Sequence, residues 1–366
     1  MSHKVLFLGN EHSDWRNISG SNPVDEISLS IDESPSRLVD FAHKYKGKFI
    51  AGFITYEFGA KQLGVPVHEL NGIPAAHFVA FESFHDIEEN SELTGVSWDH
   101  FQPIIPRNVY DTNFNKIKTH IRAGDFYQIN YTHPLKSKTD ATPEQLFHQL
   151  RQNNKVGFSA FFESDDWAIH SLSPEQFIKI ENGIITTKPI KGTMPRGKNN
   201  QEDENNLNQL LNSEKEQAEL YMIIDLLRND LGKVCETGTV EVLESKSAQK
   251  LEKVFHTYGL VQGKIKSELH PLEALISMLP GGSISGCPKI RACEIIHEME
   301  PNPRSIYTGT IGYILPNGTL NFNIAIRTIF QQNEELTLGV GGGITVDSNQ
   351  ADEYEETLAK AASLQP

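Results

Sequence analysis

Residues 305–346 read SIYTGTIGYILPNGTLNFNIAIRTIFQQNEELTLGVGGGITV, and this stretch decides the fold class. Three runs rich in β-branched and aromatic residues, 305–315, 320–330 and 336–346, are separated by Pro316-Asn317-Gly318-Thr319 and by a polar turn. Connections that short join antiparallel neighbours, so the stretch predicts an antiparallel meander. A helix is expected just after it, over 349–363. Upstream, helices are expected after Pro288 and after Pro271, and strands over 251–265 and 239–242. Residues 201–231 have a helical pattern with acidic residues in the early turns. Before that lie expected strands 157–163, 167–170, 177–180 and 184–190, the last two joined by the hairpin dipeptide Asn182-Gly183. Helices are expected over 111–122 and 143–153, and strands over 5–8, 49–58 and 75–81. Strands are not in strict alternation with helices, which indicates an α+β fold with antiparallel sheets. There is no internal repeat and no low-complexity segment.

The chain of 366 residues is 38% hydrophobic and 22% charged, enough apolar content to build a large core. A polar, mostly acidic stretch over 85–102, closed by Pro103 and Pro106, is the expected boundary. It divides a β-rich subdomain, 1–105, from a catalytic region, 106–366, the two being intertwined in one unit. The net charge of −15 repels phosphate backbones and argues against nucleic acid as a partner. The first ten residues hold only four consecutive apolar residues, too few for a signal peptide, and no run approaches the ~20 apolar residues of a membrane span. Cys235, Cys287 and Cys293 are odd in number and form no C-x-x-C, so neither a disulfide framework nor a thiolate zinc site is expected. A cytoplasmic protein without a membrane partner is the expectation.

Glu216 and Glu219 are three apart in the expected helix, and so are Glu353 and Glu356 in the last one. That spacing puts both carboxylates of a pair on one helix face. Met222, Ile223 and Leu226 continue the first face as an apolar stripe that should point inward, where a carboxylate needs a cation or a donor. Hard oxygen ligands suit Mg²⁺, although either pair alone also reads as a solvated acidic face. Gly339-Val340-Gly341-Gly342-Gly343 ends a strand, which marks a bulge or a close approach to the backbone. The loop over 280–289 precedes a helix and can offer N–H groups to a carboxylate. Cys287 stands where a Walker lysine should be, so nucleotide binding is rejected. An ordinary Gly-Pro turn is the other reading of this loop.

Lys191 lies at a strand end in Pro189-Ile190-Lys191-Gly192-Thr193-Met194-Pro195-Arg196-Gly197. A lysine held in such a frame can be a nucleophile if burial or neighbouring cations lower its pKa, and Lys188 and Arg196 are near in sequence. Most lysines only solubilise. Glu175 in Ser173-Pro174-Glu175 precedes a strand and can act as a general acid if partly buried. Gln128 and His256 are polar residues in apolar contexts, more often satisfied core groups than catalysts. Tyr307 and Arg327 are expected on the strands of the meander, where Arg327 can grip a carboxylate or pair with an internal acid.

Gly124-Asp125-Phe126-Tyr127-Gln128-Ile129-Asn130, Ser173-Pro174-Glu175, the 189–197 segment and Asp225-Leu226-Leu227-Arg228-Asn229-Asp230-Leu231 come first in an ordered series. The 280–289 loop, Tyr307, Arg327, the 341–344 run and Glu353-Tyr354-Glu355-Glu356-Thr357 complete it. The series resembles the chorismate-utilising enzymes, which include anthranilate, aminodeoxychorismate, isochorismate and salicylate synthases. The resemblance covers about residue 111 to the C-terminus; the first third matches loosely, around 52–61. It implies two large antiparallel sheets, stacked and wrapped by helices, with chorismate between them. It further implies that Glu219 and Glu356 ligate Mg²⁺ directly, supported through water by Glu216 and Glu353. The ion would hold the ring carboxylate. Tyr307, Arg327 and the N–H groups of Gly341, Gly342 and Gly343 would clamp the pyruvyl carboxylate. Ser283 and Thr193 would line the ring pocket with His256 close by, and Glu175 would protonate the departing C4 hydroxyl.

Two positions bring the resemblance closest to the aminodeoxychorismate synthase branch. Water-adding members carry a lysine base where this chain has Gln128, and glutamine takes no proton from water at neutral pH. Anthranilate synthases usually carry alanine where this chain has Lys191. The resemblance therefore implies a transaminase-class amination of chorismate through a covalent Lys191 intermediate, feeding p-aminobenzoate and folate synthesis. No cysteine sits in a Gly-x-Cys-x-Gly elbow, so ammonia is expected from solution or from a separate glutaminase subunit. No lyase segment is apparent, and an N-terminal Leu-Leu-Glu-Ser tryptophan motif is missing. Competing readings are anthranilate synthase component I, a catalytically silent chorismate-binding partner, and a generic Mg²⁺-dependent hydrolase.

Overall fold

The computed structural model describes residues 3–89, 95–252 and 254–366. Every strand pair among them is antiparallel, and the pairs link into one continuous ladder. It runs from Glu241–Lys250 through Val254–Lys264, Ile184–Lys188, Gln176–Glu181 and Leu320–Ile324. It continues through Thr310–Ile314, Phe49–Ile54 and Ala76–Asp86 to Ile18–Leu29. There the register slips between Pro23 and Asp25, and only the first two residues reach the next strand, Lys4–Leu8. The second half then follows: Phe158–Glu163, Ala168–Ser173, Thr328–Gln332, Glu335–Ile344 and Gln128–Lys138.

The two halves stack face to face. Phe7 of one half meets Phe49 and Tyr313 of the other, with ring centroids 6.3 and 4.9 Å apart, and Phe162 meets Phe53 at 5.9 Å. Strand alternation puts these rings on inner faces, and their burial removes a large apolar area from water. Helices cover the outer faces. Leu220, Ile223 and Leu227 of Glu214–Val234, with Leu272 and Leu275 of Pro271–Met278, pack with Ile50, Ile54 and Phe78. On the opposite side, Leu146 and Leu150 of Pro143–Asn153 and Ala361 of Gln350–Ala362 pack with Leu6, Phe161 and Leu172. The result is the expected α+β arrangement of stacked antiparallel sheets wrapped by helices.

Local signals fare well where turn chemistry is strong. Asn182 and Gly183 have φ of 52° and 77°, the positive values a two-residue hairpin needs, and Glu181 pairs with Ile184 across it. Three expectations are corrected. The helical pattern over 201–231 is two helices, Asn200–Leu211 and Glu214–Val234, because the Ser213 side chain accepts from Glu216 N and starts a second helix. The run over 49–58 is a strand only to Ile54; Thr55 caps the helix Tyr56–Gln62. The meander is also divided. Thr310–Ile314 pairs with Leu320–Ile324 in one sheet, whereas Thr328–Gln332 pairs with Glu335–Ile344 in the other. Residues 325–327 carry the chain between sheets, and Arg327 takes a φ of 50° there. Tyr307 and Arg327 accordingly lie in a turn and a bend, off the strands.

Four N-terminal strands join this ladder, and Gln102–Pro103 pairs with Gln128–Lys138. Of the polar stretch 85–102, residues 90–94 lie outside the described residues, as do Met1, Ser2 and residue 253 of the expected strand 251–265.

Candidate active site

Lys191 sits on the strand Ile190–Pro195, which pairs with Val254–Lys264. The register slips between Lys191 and Thr193, and Gly192 in the slip has a φ of 76°. Such a bulge re-aims the neighbouring side chains. A Cβ at Gly192 would stand 2.9 Å from Thr257 Oγ1 and 3.0 Å from Glu216 Oε2, so glycine meets both a conformational and a steric demand. The Lys191 amine ends 3.8 Å from Glu219 Oε2, its side chain 19% exposed. The cations that sequence proximity offered it are engaged elsewhere. Lys188 lies over the Tyr258 ring and bonds Gln249, and Arg196 forks onto Asp203. Lys191 is instead ringed by acids, since its charge acts on Glu175, Glu216 and Glu356 as well.

Glu175 stands just before the strand Gln176–Glu181 and is 6% exposed. Burial pushes its carboxyl up to about 7, against the opposing pull of a 2.8 Å hydrogen bond from Ser283 Oγ and of the Lys191 charge. A carboxyl in that range can carry a proton near neutral pH and release it, which suits a general acid. Ser283 is held by a pinned loop. Arg304 donates to Ile284 O at 2.8 Å, while its other nitrogens reach Glu300 and Asn130 O. Asn130 Nδ2 also donates to Ile284 O. Arg304 and Glu300 escaped sequence reading, because Pro301 and Pro303 between them exclude the helical spacing that would have signalled a pair.

The strand Glu335–Ile344 presents its glycines to both sides. A Cβ on Gly343 would meet Gln128 Nε2 at 2.2 Å and Lys191 Nζ at 3.7 Å; one on Gly342 would meet Glu353 Oε2 at 3.2 Å. Lys191 and Gln128 thus close on one side of this backbone and Glu353 on the other, where a side chain larger than glycine's would displace them. Gln128 is buried, and the Gly286-Cys287 bridge pairs with Gln128-Ile129. Thr193 Oγ1 lies 2.8 Å from His256 Nδ1. Burial, then the positive charge of Arg327, depress His256 to about 4, so its imidazole is neutral near pH 7. Arg327 itself is pulled below its ordinary value by burial alone, and no hydrogen bond or ion pair engages its guanidinium among the described residues. A desolvated, unanswered guanidinium is a natural seat for a carboxylate. Tyr307 is placed otherwise: its ring lies against Gly339, and the charges that it faces are Arg304 and Glu300.

Both glutamate pairs lie in the early turns of capped helices. Ser213 caps the first, and Asn349 caps the second through Ala351 N and Asp352 N. Glu216 is raised by burial and by Glu219, and the more distant Glu356 adds to the shift. Glu353 is raised by burial and by Glu356, although Ser348 Oγ donates to it at 2.6 Å. Glu356 is 56% exposed and pairs with Lys360 at 2.8 Å; burial opposes the net lowering that Lys360 imposes. Lys360 also donates to Gly341 O at 2.9 Å, a role that sequence reading missed. Lys118 fastens the preceding loop through Thr345 O, Val346 O and Ser348 O. No three of the four glutamates bring oxygens within 4.8 Å of one another. The four carboxylates, of which Glu216 and Glu353 are raised by burial and by a neighbouring glutamate, are oxygen donors of the kind that a hard divalent cation such as Mg²⁺ takes.

Residues 94–366 match the chorismate binding enzyme family. The chain is 40% identical over 260 residues to aminodeoxychorismate synthase component 1 of Escherichia coli K12, covering 71% of this chain and 57% of that protein. It is 39% identical over 264 residues to anthranilate synthase component 1 of Pseudomonas aeruginosa, covering 72% and 54%. The chain therefore spans a little over half the length of these curated relatives. Anthranilate synthase component I of Streptococcus pneumoniae TIGR4 superposes with a TM-score of 0.83 at 28% identity, over 99% of this chain and 92% of the other. The menaquinone-specific isochorismate synthase of Escherichia coli shares the fold, with a TM-score of 0.78 at 15% identity over 100% and 88%. No helix among the described residues is long and apolar enough to cross a membrane.

Proposed function

The chain belongs to the chorismate binding enzyme family, and from that premise we propose that it aminates chorismate to 4-amino-4-deoxychorismate. The observation that carries the reading is the setting of Lys191. Its amine is aimed off a bulged strand at a glycine backbone, 3.8 Å from Glu219 and within the electrostatic reach of a protonatable Glu175. The names of its 40%-identical relatives support the same reaction.

In the proposed sequence Lys191 first releases a proton to solvent and then adds through Nζ to C2, the ring double bond shifts and the C4–O bond breaks. Glu175 gives its proton to the departing oxygen, which leaves as water. Ammonia then adds at C4, the double bond returns, the C2–Nζ bond breaks, and the surplus proton of the new ammonium restores Glu175. Two displacements retain the configuration at C4. Arg327 and the N–H groups around Gly341, Gly342 and Gly343 orient the pyruvyl carboxylate, with Tyr307 bracing the strand at Gly339. Thr193, Ser283 and neutral His256 line the ring, and Gln128 keeps a water-activating base out of the site. Mg²⁺, held by Glu219 and Glu356 and supported by Glu216 and Glu353, would supply fixed positive charge for the ring carboxylate.

Ammonia is taken to come from a separate glutaminase subunit, in keeping with the "component 1" in the relatives' names. A cytoplasmic place in p-aminobenzoate and folate synthesis completes the proposal. Purified chain with chorismate, MgCl₂ and an ammonium salt should yield a product with the mass of aminodeoxychorismate, and EDTA should abolish it. Fluorescent anthranilate in its place would favour the anthranilate synthase reading, which the Pseudomonas aeruginosa relative keeps as the second choice.

A further inference from the structure

Another set of ligand atoms gathers outside this site. His3 immediately precedes the strand Lys4–Leu8, Glu26 lies on Ile18–Leu29 and His77 on Ala76–Asp86, and one ligand atom of each lies within 4.8 Å of the others. Ser28 faces His77 across the ladder, and Glu26, two residues before Ser28, shares its face. That face looks into the aromatic layer between the sheets. The His77 ring lies 6.0 Å from Phe53, 5.5 Å from Phe162 and 5.6 Å from Trp167. His77 is 3% exposed, and the side chains of His3 and Glu26 are 5% and 27% exposed.

The polar atoms there are not balanced. His77 Nδ1 is 2.8 Å from Ser28 Oγ, whereas its Nε2 is buried without a hydrogen-bond partner, 3.8 Å from Glu26 Oε2. With its proton on Nδ1 toward Ser28, Nε2 turns a lone pair toward a carboxylate oxygen, and two acceptors facing each other in an apolar layer are costly. With the proton on Nε2 instead, that N–H lies 3.8 Å from Glu26 Oε2, too far for a hydrogen bond, so Nε2 is unsatisfied in either tautomer. His3 contacts the same Glu26 oxygen through Nε2, and a proton there answers Glu26 but leaves His77 unanswered. One cation accepts all three lone pairs.

We infer that His3, Glu26 and His77 form a site for one divalent transition-metal ion of the zinc class. Two imidazoles and a carboxylate match such ions and leave a fourth position for water. Ser28 is the outer partner that fixes the ligating tautomer of His77. The ion ties residue 3 to the paired strands Ile18–Leu29 and Ala76–Asp86, and the surrounding rings shield it from water.

The test uses the full chain stripped with chelator and then titrated with ZnCl₂ in excess MgCl₂, which keeps the glutamate pairs occupied. Melting temperature and the visible spectrum with Co²⁺ in place of zinc are the readouts. One equivalent should raise the melting temperature, and Co²⁺ should give the intense bands of a four-coordinate site with nitrogen ligands. Glu26→Gln, at the most exposed ligand, should fold normally and lose at least about tenfold in zinc affinity, and His77→Ala should remove the cobalt bands. If His77→Ala does not fold, Glu26→Gln decides. Unchanged zinc affinity in Glu26→Gln overturns the site, as does a wild-type chain whose melting temperature ignores zinc. Zinc binding that Glu219→Gln removes and Glu26→Gln leaves intact also overturns it. The result is independent of the amination assay.

Discussion

Glu216/Glu219 and Glu353/Glu356 have the same spacing, lie in the early turns of capped helices, and each meets a lysine. The lysines differ in origin. Lys360 comes from the same helix as its glutamate, one turn on, and also binds Gly341 O. Lys191 arrives at Glu219 from a different element, a strand whose bulge aims it. An i,i+4 ion pair is a local device on an exposed face. A lysine delivered by tertiary structure into a half-buried ring of acids is a more costly arrangement that serves the site. Identical patterns in sequence therefore acquire unlike surroundings: one pair meets a lysine brought by a separate strand, and the other meets a lysine of its own helix.

The largest expected effect separates the two lysines. Lys191→Ala should lower aminodeoxychorismate formation on the order of 10³-fold or more, the scale of losing a group that acts in the bond-making step. Lys360→Ala should cost less than about tenfold, since it alters only positioning. Equal losses in steady-state assays would erase the distinction. Next, Glu175→Gln should cost about 10²- to 10⁴-fold. In the wild type the acid must be protonated. With Glu175 raised to about 7, kcat/KM should fall as pH rises through that value, and a profile flat from pH 6 to 8 would contradict the assignment.

The sequence made the chemical groups of the site more legible than the path of the chain that carries them. The carboxylate spacings, the glycine run and Lys191 can be read because chemistry demands those residue types in short, ordered motifs. The division of the meander cannot be read so, because residues 320–330 look like one apolar run and only tertiary pairing shows that the chain changes sheets at 325–327. For the same reason Arg327 seemed a strand residue. The strands Ile18–Leu29 and Gln128–Lys138 also escaped, since bulged or partly polar strands lack clean alternation. Lys360, Ser348 and Arg304 act through other residues, and their meaning emerges only from the contacts.

Smaller effects sharpen the comparison. Glu219→Gln and Glu353→Gln should each raise the Mg²⁺ concentration for half-maximal activity by about 10- to 100-fold, measured by metal titration of turnover. An unchanged requirement in both would remove the metal from the account. Gly192→Ala should be the mildest overall. A Cβ at φ of 76°, 3.0 Å from Glu216, should destabilise the fold by about 1–3 kcal/mol in urea unfolding, as positive-φ strain does. It should also move Lys191, so a loss of turnover larger than the loss of stability explains is expected.

Intact-protein mass spectrometry of the chain incubated with chorismate and Mg²⁺ but no ammonia tests the central role of Lys191 most directly. A gain equal to chorismate less one water, mapped by peptide fragmentation to Lys191 and discharged by an ammonium salt, is the predicted result. An unmodified chain together with a fully active Lys191→Ala variant would contradict it.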